Sequence, residues 1–395
     1  MEQHPLPGPA RAKPVLFAAG FLLVLYALAV LLAWSLGRGF WLPLAVHFKN
    51  ELSASPALTL VASGDVMLGR RVAGAMEEKG MFYPFARVAH LLQGGDLTFG
   101  NLESPLSRQG TPLPGKGIWF RGDPGAAVAL KAAGYDVLSV ANNHTLDYDD
   151  PAFLETLAVL RRAGIDPVGG GKNSIEAAQP VFKEANGYKV AFLAATEMAD
   201  IFWSWENPRT LEATQERPGV AALEARRLEN TIRSLEGRAD LVVVSLHWGT
   251  EYSDYPTPAQ REIAHRLVDA GADLIIGHHP HCLQGVELYR GSLIAYSLGN
   301  FVYDRQRRPK CQEGLLLRVR YRGPWLREAL VYPVLIQNEQ PRPAAGDAAG
   351  RILQRTAALT KKLGTSLEIA DQVGIVSANL NTGKGASRDE KTGNS

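Results

Sequence analysis

The chain has 395 residues, of which 46% are hydrophobic and 21% are charged, and its formal net charge at pH 7 is +2. This composition indicates a packed globular protein rather than a disordered one, and the small net charge gives no support for a nucleic-acid partner. The two cysteines, Cys282 and Cys311, are too few for a disulfide framework, and they could form one bridge or stay as free thiols.

An uncharged hydrophobic segment extends from Val15 to Leu36. As a helix it would be about 33 Å long, which matches the hydrocarbon core of a bilayer. It lacks the polar face of a buried core helix and is longer than the apolar region of most cleaved signal peptides, so an uncleaved signal anchor is favoured. Arg11 and Lys13 precede it, and the positive-inside rule then favours a cytoplasmic N-terminus.

These features predict a single-pass protein of the cell membrane with most of the chain outside the cell. The residues after about 380 are rich in Asn, Gly, Lys and Ser, which indicates disorder, and 351–372 has the pattern of an amphipathic helix. The predicted parts are a cytoplasmic N-terminus (1–14), a transmembrane signal anchor (15–37), a linker (38–56), a globular domain (57–340), and a C-terminal helix with a disordered tail (341–395).

Short, nearly continuous hydrophobic runs alternate with helical patterns through most of the globular domain. Such runs are typical of strands buried on both faces, so they predict an α/β domain with a largely parallel sheet. Later strand patterns have few helices between them, which predicts a second sheet packed on the first. The predicted strands are 58–63, 97–100, 136–141, 189–196, 241–246, 274–277, 284–289, 292–303, 314–321 and 326–336. The predicted helices of the domain are 124–133, 151–163, 221–236 and 258–271.

Polar side chains that can bind metals follow five of the predicted strands. Ligands of open α/β sheets collect at the carboxyl ends of the strands, so these residues are expected to meet in space. Taken alone, each has a plainer interpretation as a turn, a helix cap or a hydrogen-bonded structural residue. Together they offer the oxygen and imidazole donors that suit Zn, Mn or Fe. They are Asp65; Asn101 and Glu103; Asn142, Asn143 and His144; His247; and His278, His279 and His281.

The element His279-Pro280-His281 is the most specific of these signals. In an extended backbone, residues i and i+2 point to the same side, so His279 and His281 are both expected to face the metal. Pro280 would stiffen the link between them. His278 is expected to point the other way and to have a structural or supporting role.

Six sequence blocks carry these residues in order: SGDVMLGR, GNLESPLS, GYDVLSVANNHTLDY, HWGTEY, GADLIIGHHPHCLQGVE and IAYSLGNFVYD. The order of the polar residues is similar to the metal motifs of the calcineurin-like metallophosphoesterase superfamily. The blocks resemble its CapA branch, the capsule and poly-γ-glutamate synthesis proteins, over about residues 58–305. This resemblance implies a layered α/β sandwich with two central sheets, preceded in this chain by the transmembrane helix.

The resemblance also implies a site for two divalent metal ions, with Mn, Zn, Fe or Mg as candidates. Two cations about 3.5–4 Å apart could activate a bridging water and stabilise both oxygens of an in-line displacement. His144, counted with Asn143 as catalytic, would be a general acid or orient a phosphate, and a pKa near neutrality is expected for it. Asp65 and His281 would bind the first metal, Asn143, His247 and His279 the second, and Glu103, with Asn101 beside it, would bridge them.

Three features depart from the phosphoesterase pattern. Met67 stands where the superfamily has a histidine, and GNLES replaces the motif with the bridging aspartate; the CapA branch shares both changes. Asp149 stands where a glycine is expected.

Several other residues could contact a ligand or the substrate, with a purely structural role as the alternative. Arg70 and Arg71 could bind an anionic group or simply be solvated. The long segment 198–219 fits either an ordered cap over the site or a surface loop. The remaining candidates for contact with a ligand or substrate are Asn101, Asn142, Trp248, Glu251, His278, Ser297, Asn300 and Tyr303.

Three functions are compatible with these features. The first is a membrane-bound, extracellular component of poly-γ-glutamate or capsule production. It would work with subunits of a polymer synthetase and use its metal site on the nascent anionic polymer or on the attachment of that polymer. The second is a general metal-dependent phosphatase or phosphodiesterase that acts on phosphoesters. The third is a scaffold subunit of a synthetase with a remnant metal site. Nothing in the sequence selects amide over phosphoester chemistry.

Overall fold

A computed structural model describes residues 56–201, 204–205 and 208–376. The predicted cytoplasmic N-terminus, the signal anchor, the linker up to residue 55 and the tail from residue 377 lie outside the described residues. None of the helices within the described ranges has both the length and the hydrophobicity needed to cross a bilayer.

The domain alternates strands and helices through its first two thirds and is richer in strands afterwards. The strands are β1 (Ala57–Val66), β2 (Leu97–Leu102), β3 (Val137–Ser139), β4 (Asp166–Val168), β5 (Gly170–Gly171), β6 (Val181–Ala185), β7 (Tyr188–Thr196), β8 (Gly219–Val220), β9 (Leu241–His247), β10 (Leu274–His278), β11 (Val286–Tyr289), β12 (Ser292–Ala295), β13 (Asn300–Val302), β14 (Glu313–Arg322), β15 (Trp325–Gln337), β16 (Gln340–Pro343), β17 (Glu368–Ala370) and β18 (Val373–Val376). The helices are α1 (Arg70–Lys79), α2 (Ala89–Leu92), α3 (Ala126–Ala133), α4 (Asp149–Arg162), α5 (Ser174–Ala177), α6 (Ala225–Arg233), α7 (Pro258–Ala270) and α8 (Gly346–Lys362), with short 3₁₀ helices at Tyr83–Phe85 and Pro309–Gln312.

The larger sheet has ten strands and is built around β1. On one side, β1 pairs in parallel with β2, and β3 and β4 follow, also in parallel. On the other side it pairs antiparallel with β14, beyond which lie β15, β18 and β17. In addition, β13 pairs with β1 and β16 with β15. This sheet is therefore mixed rather than largely parallel.

The smaller sheet has six strands in the order β11-β12-β10-β9-β7-β6. Strands β7, β9, β10 and β12 run parallel, and an antiparallel strand flanks them at each edge. The α/β class and the presence of more than one sheet are confirmed. The predicted division of strands is wrong, because β11 and β12 join the smaller sheet whereas β13 to β18 join the larger one. A hydrophobic pattern shows that a strand is buried, but it does not show which sheet edge receives it.

The two sheets pack face to face. Phe99 of β2 stacks on Phe192 of β7, with ring centroids 5.9 Å apart. Alternate residues of a strand point to opposite faces, and Phe192 and Val243 accordingly face the core shared with the larger sheet. Their neighbours Leu193 and Val244 face a second core, which helices α6 and α7 cover. The smaller sheet is thus enclosed between the larger sheet and this pair of helices.

The globular domain extends beyond the predicted boundary at residue 340. The helix predicted over 351–372 is α8, which ends at Lys362, and Gly364 follows in the left-handed conformation that is common after helix C-termini. Strands β17 and β18 then form a hairpin that pairs with β15. Helix α8 and this hairpin are therefore parts of the same domain.

Gly64, just before Asp65 in β1, is expected to resist substitution. A Cβ atom at Gly64 would lie 1.9 Å from the carbonyl oxygen of Gly299, which accepts a hydrogen bond from the backbone N–H of Asp65. Because backbone cannot move aside as a side chain can, Gly64→Ala should lower the free energy of unfolding by at least about 2 kcal/mol.

The matched control is Gly74→Ala, at an exposed position of α1 where an added Cβ would meet no atom within 4 Å. That change should raise stability by about 0.5–1 kcal/mol, because alanine favours a helix over glycine. Urea unfolding of both variants beside the wild type measures the difference. Wild-type stability of Gly64→Ala would contradict the close contact between β1 and the turn at Gly299.

Candidate metal centre

The register of the strands places the predicted site residues side by side. Asp65, near the end of β1, is level with Asn101 of β2 and with Asn300 of β13. In the smaller sheet, His247 at the end of β9 pairs with His278 at the end of β10. The two sheets meet at this point, since His278 Nδ1 lies 3.0 Å from Asp65 Oδ1.

Two overlapping groups of side chains have ligand atoms close enough to hold a divalent cation. In the first group, the ligand atoms of Asp65, Glu103 and His281 all lie within 4.8 Å of one another. In the second group, those of Glu251, His279 and His281 do. His281 belongs to both groups and is therefore the central residue of the cluster.

Asn143 and His247 lie beside these groups. His247 Nε2 is 2.9 Å from Asn143 Oδ1 and 3.8 Å from Glu103 Oε1, and the rings of His247 and His279 have centroids 4.8 Å apart. The structure thus brings all six predicted metal ligands together, and Glu251 joins them. The assignment of each ligand to one of two metals stays a prediction.

The side chains of the cluster fit a divalent cation, and Glu103 provides the evidence. It is fully buried, and neither of its carboxylate oxygens has a hydrogen-bond partner among the described residues. The Nε2 atoms of His281 and His247 are 3.7 and 3.8 Å from Glu103 Oε1, too far for hydrogen bonds. A buried carboxylate without a partner is costly, and a cation held between these oxygen and imidazole donors would satisfy it.

The two buried carboxylates have opposite pKa shifts. Burial opposes the charge on Asp65, but hydrogen bonds and attraction from His278 and His281 hold the pKa of Asp65 well below its ordinary value. Burial raises the pKa of Glu103 well above its ordinary value, although attraction by His281 opposes the rise. Asp65 therefore keeps its negative charge at neutral pH, whereas Glu103 needs a cation nearby to keep its own.

The three histidines of the cluster also differ. Burial opposes a charge on His281, yet Glu103 and Asp65 raise its pKa to about 10. Burial, and then the charge of His281, lowers the pKa of His279 to about 3. Burial and His279 lower the pKa of His247 as well. Two of the rings are thus in the neutral form that binds metals, and His281 must release its proton when a metal ion takes its place.

The element His279-Pro280-His281 is not extended, so the prediction that rested on an alternating backbone is wrong. The φ angles are 95° at His279 and 54° at His281, and both are left-handed. The two rings nevertheless reach the same cluster, with centroids 6.0 Å apart. His278 does not point away, because its Nδ1 contacts Asp65 Oδ1, and so it orients that carboxylate.

Two asparagines link the ends of β2 and β3 to the cluster. Asn101 Nδ2 donates a hydrogen bond to Asp65 Oδ1 at 2.9 Å, and Asn142 Nδ2 donates to Asn101 Oδ1 at 3.1 Å. Asn142 Oδ1 in turn accepts a hydrogen bond from the backbone N–H of His144 at 3.0 Å. These amides orient one carboxylate and one catalytic candidate in a single chain of hydrogen bonds.

Asn300 and Ser297 support the other side of the cluster. Asn300 Oδ1 lies 2.9 Å from His281 Nδ1, so the opposite ring atom, Nε2, is left to face Glu103. Ser297 Oγ donates to the backbone oxygen of Cys282 at 2.8 Å and so holds the residue that follows His281. Both residues therefore support the loop that carries His279 and His281. At metal sites a histidine is usually oriented by a hydrogen bond at the nitrogen that does not bind the metal.

His144 is held by three residues that were not among the predicted site residues. Its Nδ1 lies 2.8 Å from Asp147 Oδ2, and its ring stacks on Phe120 with centroids 3.9 Å apart. The buried Lys116 contacts both Asp147 and the backbone oxygen of Asn143. The spacing of His144 and Asp147 on one turn was a usable signal, whereas nothing marked Lys116 or Phe120 as distant partners.

The pKa of His144 differs from the near-neutral value expected for a proton donor. Burial lowers this pKa to about 4. Attraction by Asp147 opposes the shift, and repulsion by Lys116 adds to it. The ring is therefore neutral at pH 7. With Nδ1–H donated to Asp147, Nε2 is left as a hydrogen-bond acceptor, so an orienting role suits His144 better than proton donation in this state.

Trp248 and Asp149 have structural roles. Trp248 is fully buried, stacks on Tyr296 in the second core and donates from Nε1 to the backbone oxygen of Tyr296, so it does not line the site. Asp149 has a φ of 62°, which explains why a glycine was expected there. Arg209 contacts the carboxylates of Asp149 and Asp150, which fastens part of the segment 198–219 to the start of α4.

Comparisons with known proteins match the region of the chain that contains the site residues. The family model described as "Bacterial capsule synthesis protein PGA_cap" matches residues 59–305. The chain is 35% identical to "Capsule biosynthesis protein CapA" of Bacillus anthracis over 304 residues, which cover 75% of this chain and 71% of that protein. It is 32% identical to "PGA biosynthesis protein CapA" of Bacillus subtilis over 310 residues, which cover 78% and 79%.

Solved structures show a more distant likeness. The calcineurin-like phosphoesterase YfkN of Bacillus subtilis aligns with a TM-score of 0.42 and 15% identity, and the alignment covers 78% of this chain and 97% of that chain. A likeness at this level is too distant to support a functional statement.

Addition of Mn²⁺ or Zn²⁺ is expected to raise the unfolding temperature, because the cluster exists only in the folded state. At a hundredfold excess over the dissociation constant the gain would be about 2.7 kcal/mol. His281→Ala should remove most of this gain, since His281 contributes to both groups. Metal content and thermal unfolding measured together check the prediction.

His265→Ala is the matched control, because His265 stacks on Tyr289 and bonds Glu287 outside the cluster. It should keep the full metal-dependent rise. An equal rise in His281→Ala and in the wild type would show that the metal binds elsewhere.

Proposed function

This chain belongs to the PGA_cap family of bacterial capsule synthesis proteins, and we propose that it acts in capsule or poly-γ-glutamate production through a divalent-metal site. The family model matches 59–305, and two relatives named CapA are more than 30% identical. The resemblance predicted from the motifs is thereby confirmed. The observation that carries the metal site is the fully buried Glu103 carboxylate without a hydrogen-bond partner among the described residues.

The proposed site holds two metal ions in neighbouring positions. Asp65, Glu103 and His281 would hold the first, since their ligand atoms converge. His279 and His247 would hold the second, together with oxygens of Asn143 or Glu251 and with Glu103 shared between the ions. When bound, such metals supply Lewis-acid activation of a water molecule or of a carbonyl or phosphoryl oxygen.

The chain's own residues would orient the substrate beside the metals. His144 is held by Asp147 and Phe120 and presents an uncharged ring at neutral pH. The buried Lys116 keeps the turn of Asn143 and Asp147 closed, so a ligand and an orienting group stay at a constant separation. These contacts give the site the rigidity that positioning of a substrate requires.

A polymer assay in a deletion strain tests the proposal. Loss of the gene should abolish or shorten the surface polymer, and the wild-type chain should restore it. His281→Ala should fail to restore it, whereas His265→Ala should succeed, because only the former removes a residue of the metal cluster. Polymer length and amount on the cell surface are the measurements.

The other outcomes separate the alternatives. Normal polymer in the deletion strain would contradict the proposal and favour a general phosphoesterase. Full restoration by His281→Ala would contradict a working metal site and favour a scaffold subunit.

We also propose that the domain is anchored at the cell membrane and faces outward, as part of a polymer synthesis assembly. The uncharged segment 15–36 and the basic residues Arg11 and Lys13 before it support this arrangement. A relative in Mycobacterium tuberculosis is named a probable polyglutamine synthesis accessory protein, which supports association with such an assembly.

Protease treatment of protoplasts should degrade the domain without lysis, because an outward-facing domain is accessible. A variant without residues 1–37 should be protected, since it would stay in the cytoplasm. Immunodetection of the domain and of a cytoplasmic marker gives the result. Protection of the full-length chain until lysis would contradict the outward orientation.

A further inference from the structure

Two arginines lie over aromatic rings that contact histidines of the site. The guanidinium carbon of Arg70 is 5.5 Å from the centre of the Phe120 ring, and Phe120 stacks on His144. The guanidinium carbon of Arg308 is 4.5 Å from the centre of the Tyr252 ring, whose centroid is 6.3 Å from that of His281. Each guanidinium group is therefore one aromatic side chain away from a histidine of the site, His144 for Arg70 and His281 for Arg308.

The aromatic contacts continue between these two pairs. The ring of Phe120 meets that of Tyr303 edge to face at 5.9 Å, and Tyr303 lies 5.2 Å from His281. The rings of Phe120, Tyr303, His281 and Tyr252 thus form a continuous row of contacts. Arg70 contacts one end of this row and Arg308 the other, and His281 of the side-chain cluster lies within the row.

Arg70 is held in place rather than free to move in solvent. Its Nε lies 3.0 Å from Asp304 Oδ2, a fully buried carboxylate, while its own side chain is 47% exposed. Its φ is 53°, a left-handed conformation that costs a non-glycine residue on the order of 1 kcal/mol and persists only where the surroundings enforce it. Because nearly half of the Arg70 side chain is exposed, its guanidinium group can also be reached by a ligand.

Tyr252, which supports Arg308, is also held in a left-handed conformation. Its φ is 64°, and its backbone N–H donates to the oxygen of Pro280, between the two cluster histidines. Strained backbone of this kind concentrates at functional sites. The position of the Arg308 side chain is thereby linked to the loop that carries His279 and His281.

The segment 305–310, RQRRPK, is strongly basic. Arg305, Arg307 and Arg308 are exposed, and no carboxylate within ion-pair distance is found for them among the described residues. Lys310 differs, because it contacts Asp254. Exposed arginines are usually only solvated, but the contact with Tyr252 places the guanidinium group of Arg308 one aromatic ring away from His281.

We propose that Arg70 and Arg308 form a carboxylate-binding rim that guides an anionic polymer across the metal cluster. The proposal deepens the proposed function and rests on it, because that function supplies a polymer as the ligand. A guanidinium group binds a carboxylate through two parallel hydrogen bonds, and stacking on a ring leaves its N–H edge free for this. A chain with carboxylates at regular intervals can engage both arginines at once, which strengthens binding beyond either contact alone.

The test measures binding of a fluorescent γ-linked glutamate oligomer to the full-length protein by anisotropy. Arg308→Gln should weaken binding about fivefold, and Arg70→Gln combined with it about twentyfold or more, because two charge-assisted contacts are lost. Binding should also weaken as salt is raised. Within the described part of the chain Arg308 has no carboxylate partner that its substitution would leave unpaired, so this variant keeps the test valid even where Arg70→Gln fails to fold.

Arg290→Gln is the matched control. Arg290 also lies 5.5 Å from an aromatic ring, that of Tyr289, and pairs with a carboxylate, that of Asp269. It shares the chemistry of Arg70 without the connection to the cluster, so its loss should leave binding unchanged. Thermal unfolding of each variant verifies that the protein is folded.

Three results would contradict the proposed rim. The first is that Arg308→Gln binds the oligomer as tightly as the wild type, and the second is that a neutral γ-linked glutamine oligomer binds as tightly as the glutamate oligomer. The third is that Arg290→Gln loses as much affinity as Arg308→Gln. If inorganic polyphosphate bound as tightly as the glutamate oligomer and depended equally on Arg308, the choice of a carboxylate ligand would be wrong. Normal polymer in the deletion strain would instead refute the proposed function, so the two failures are distinguishable.

Discussion

The arrangement of the site depends on the burial of two carboxylates, Asp65 and Glu103, at the ends of adjacent parallel strands. Neighbouring parallel strands end at the same edge of a sheet, so the two negative charges are brought together in a place that water does not reach. Asp65 is compensated by His278 and His281, whereas Glu103 has no hydrogen-bond partner among the described residues. Such a pair is costly for folding alone, and a bound cation offsets that cost.

The second sheet provides imidazole groups beside this pair of carboxylates. His247 and His278 end neighbouring strands of the smaller sheet, and the face-to-face packing of the sheets directs them at Asp65 and Glu103. The cluster therefore forms only when both sheets are folded and packed. The hydrophobic contact of Phe99 with Phe192 contributes indirectly to the site, because it is one of the core contacts that keep the two sheets at their separation.

The sequence predicted the residues of the site better than it predicted the topology of the sheets. Asp65, Glu103, His247 and His281 could be identified because their residue types stand directly after hydrophobic strands, and strand ends converge whatever the topology. The sheet that receives β14 was not predictable, since pairing partners are chosen by open edges over long separations. The bent backbone of His279 and His281 also escaped, because left-handed φ angles at non-glycine residues are enforced by tertiary contacts rather than by local preference.

The connection between β2 and α3 explains how the parts of the site can act together. Its first residue after the strand is Glu103, and it also carries Lys116 and Phe120. Lys116 holds Asp147, and Phe120 N–H donates to the same carboxylate at 2.5 Å, so this one segment orients His144 from two sides. Phe120 also lies under Arg70, so the segment that carries the candidate ligand Glu103 contacts both His144 and Arg70. A metal ion bound at Glu103 would thus be coupled by direct contacts to His144 and Arg70, the residues proposed to meet the substrate.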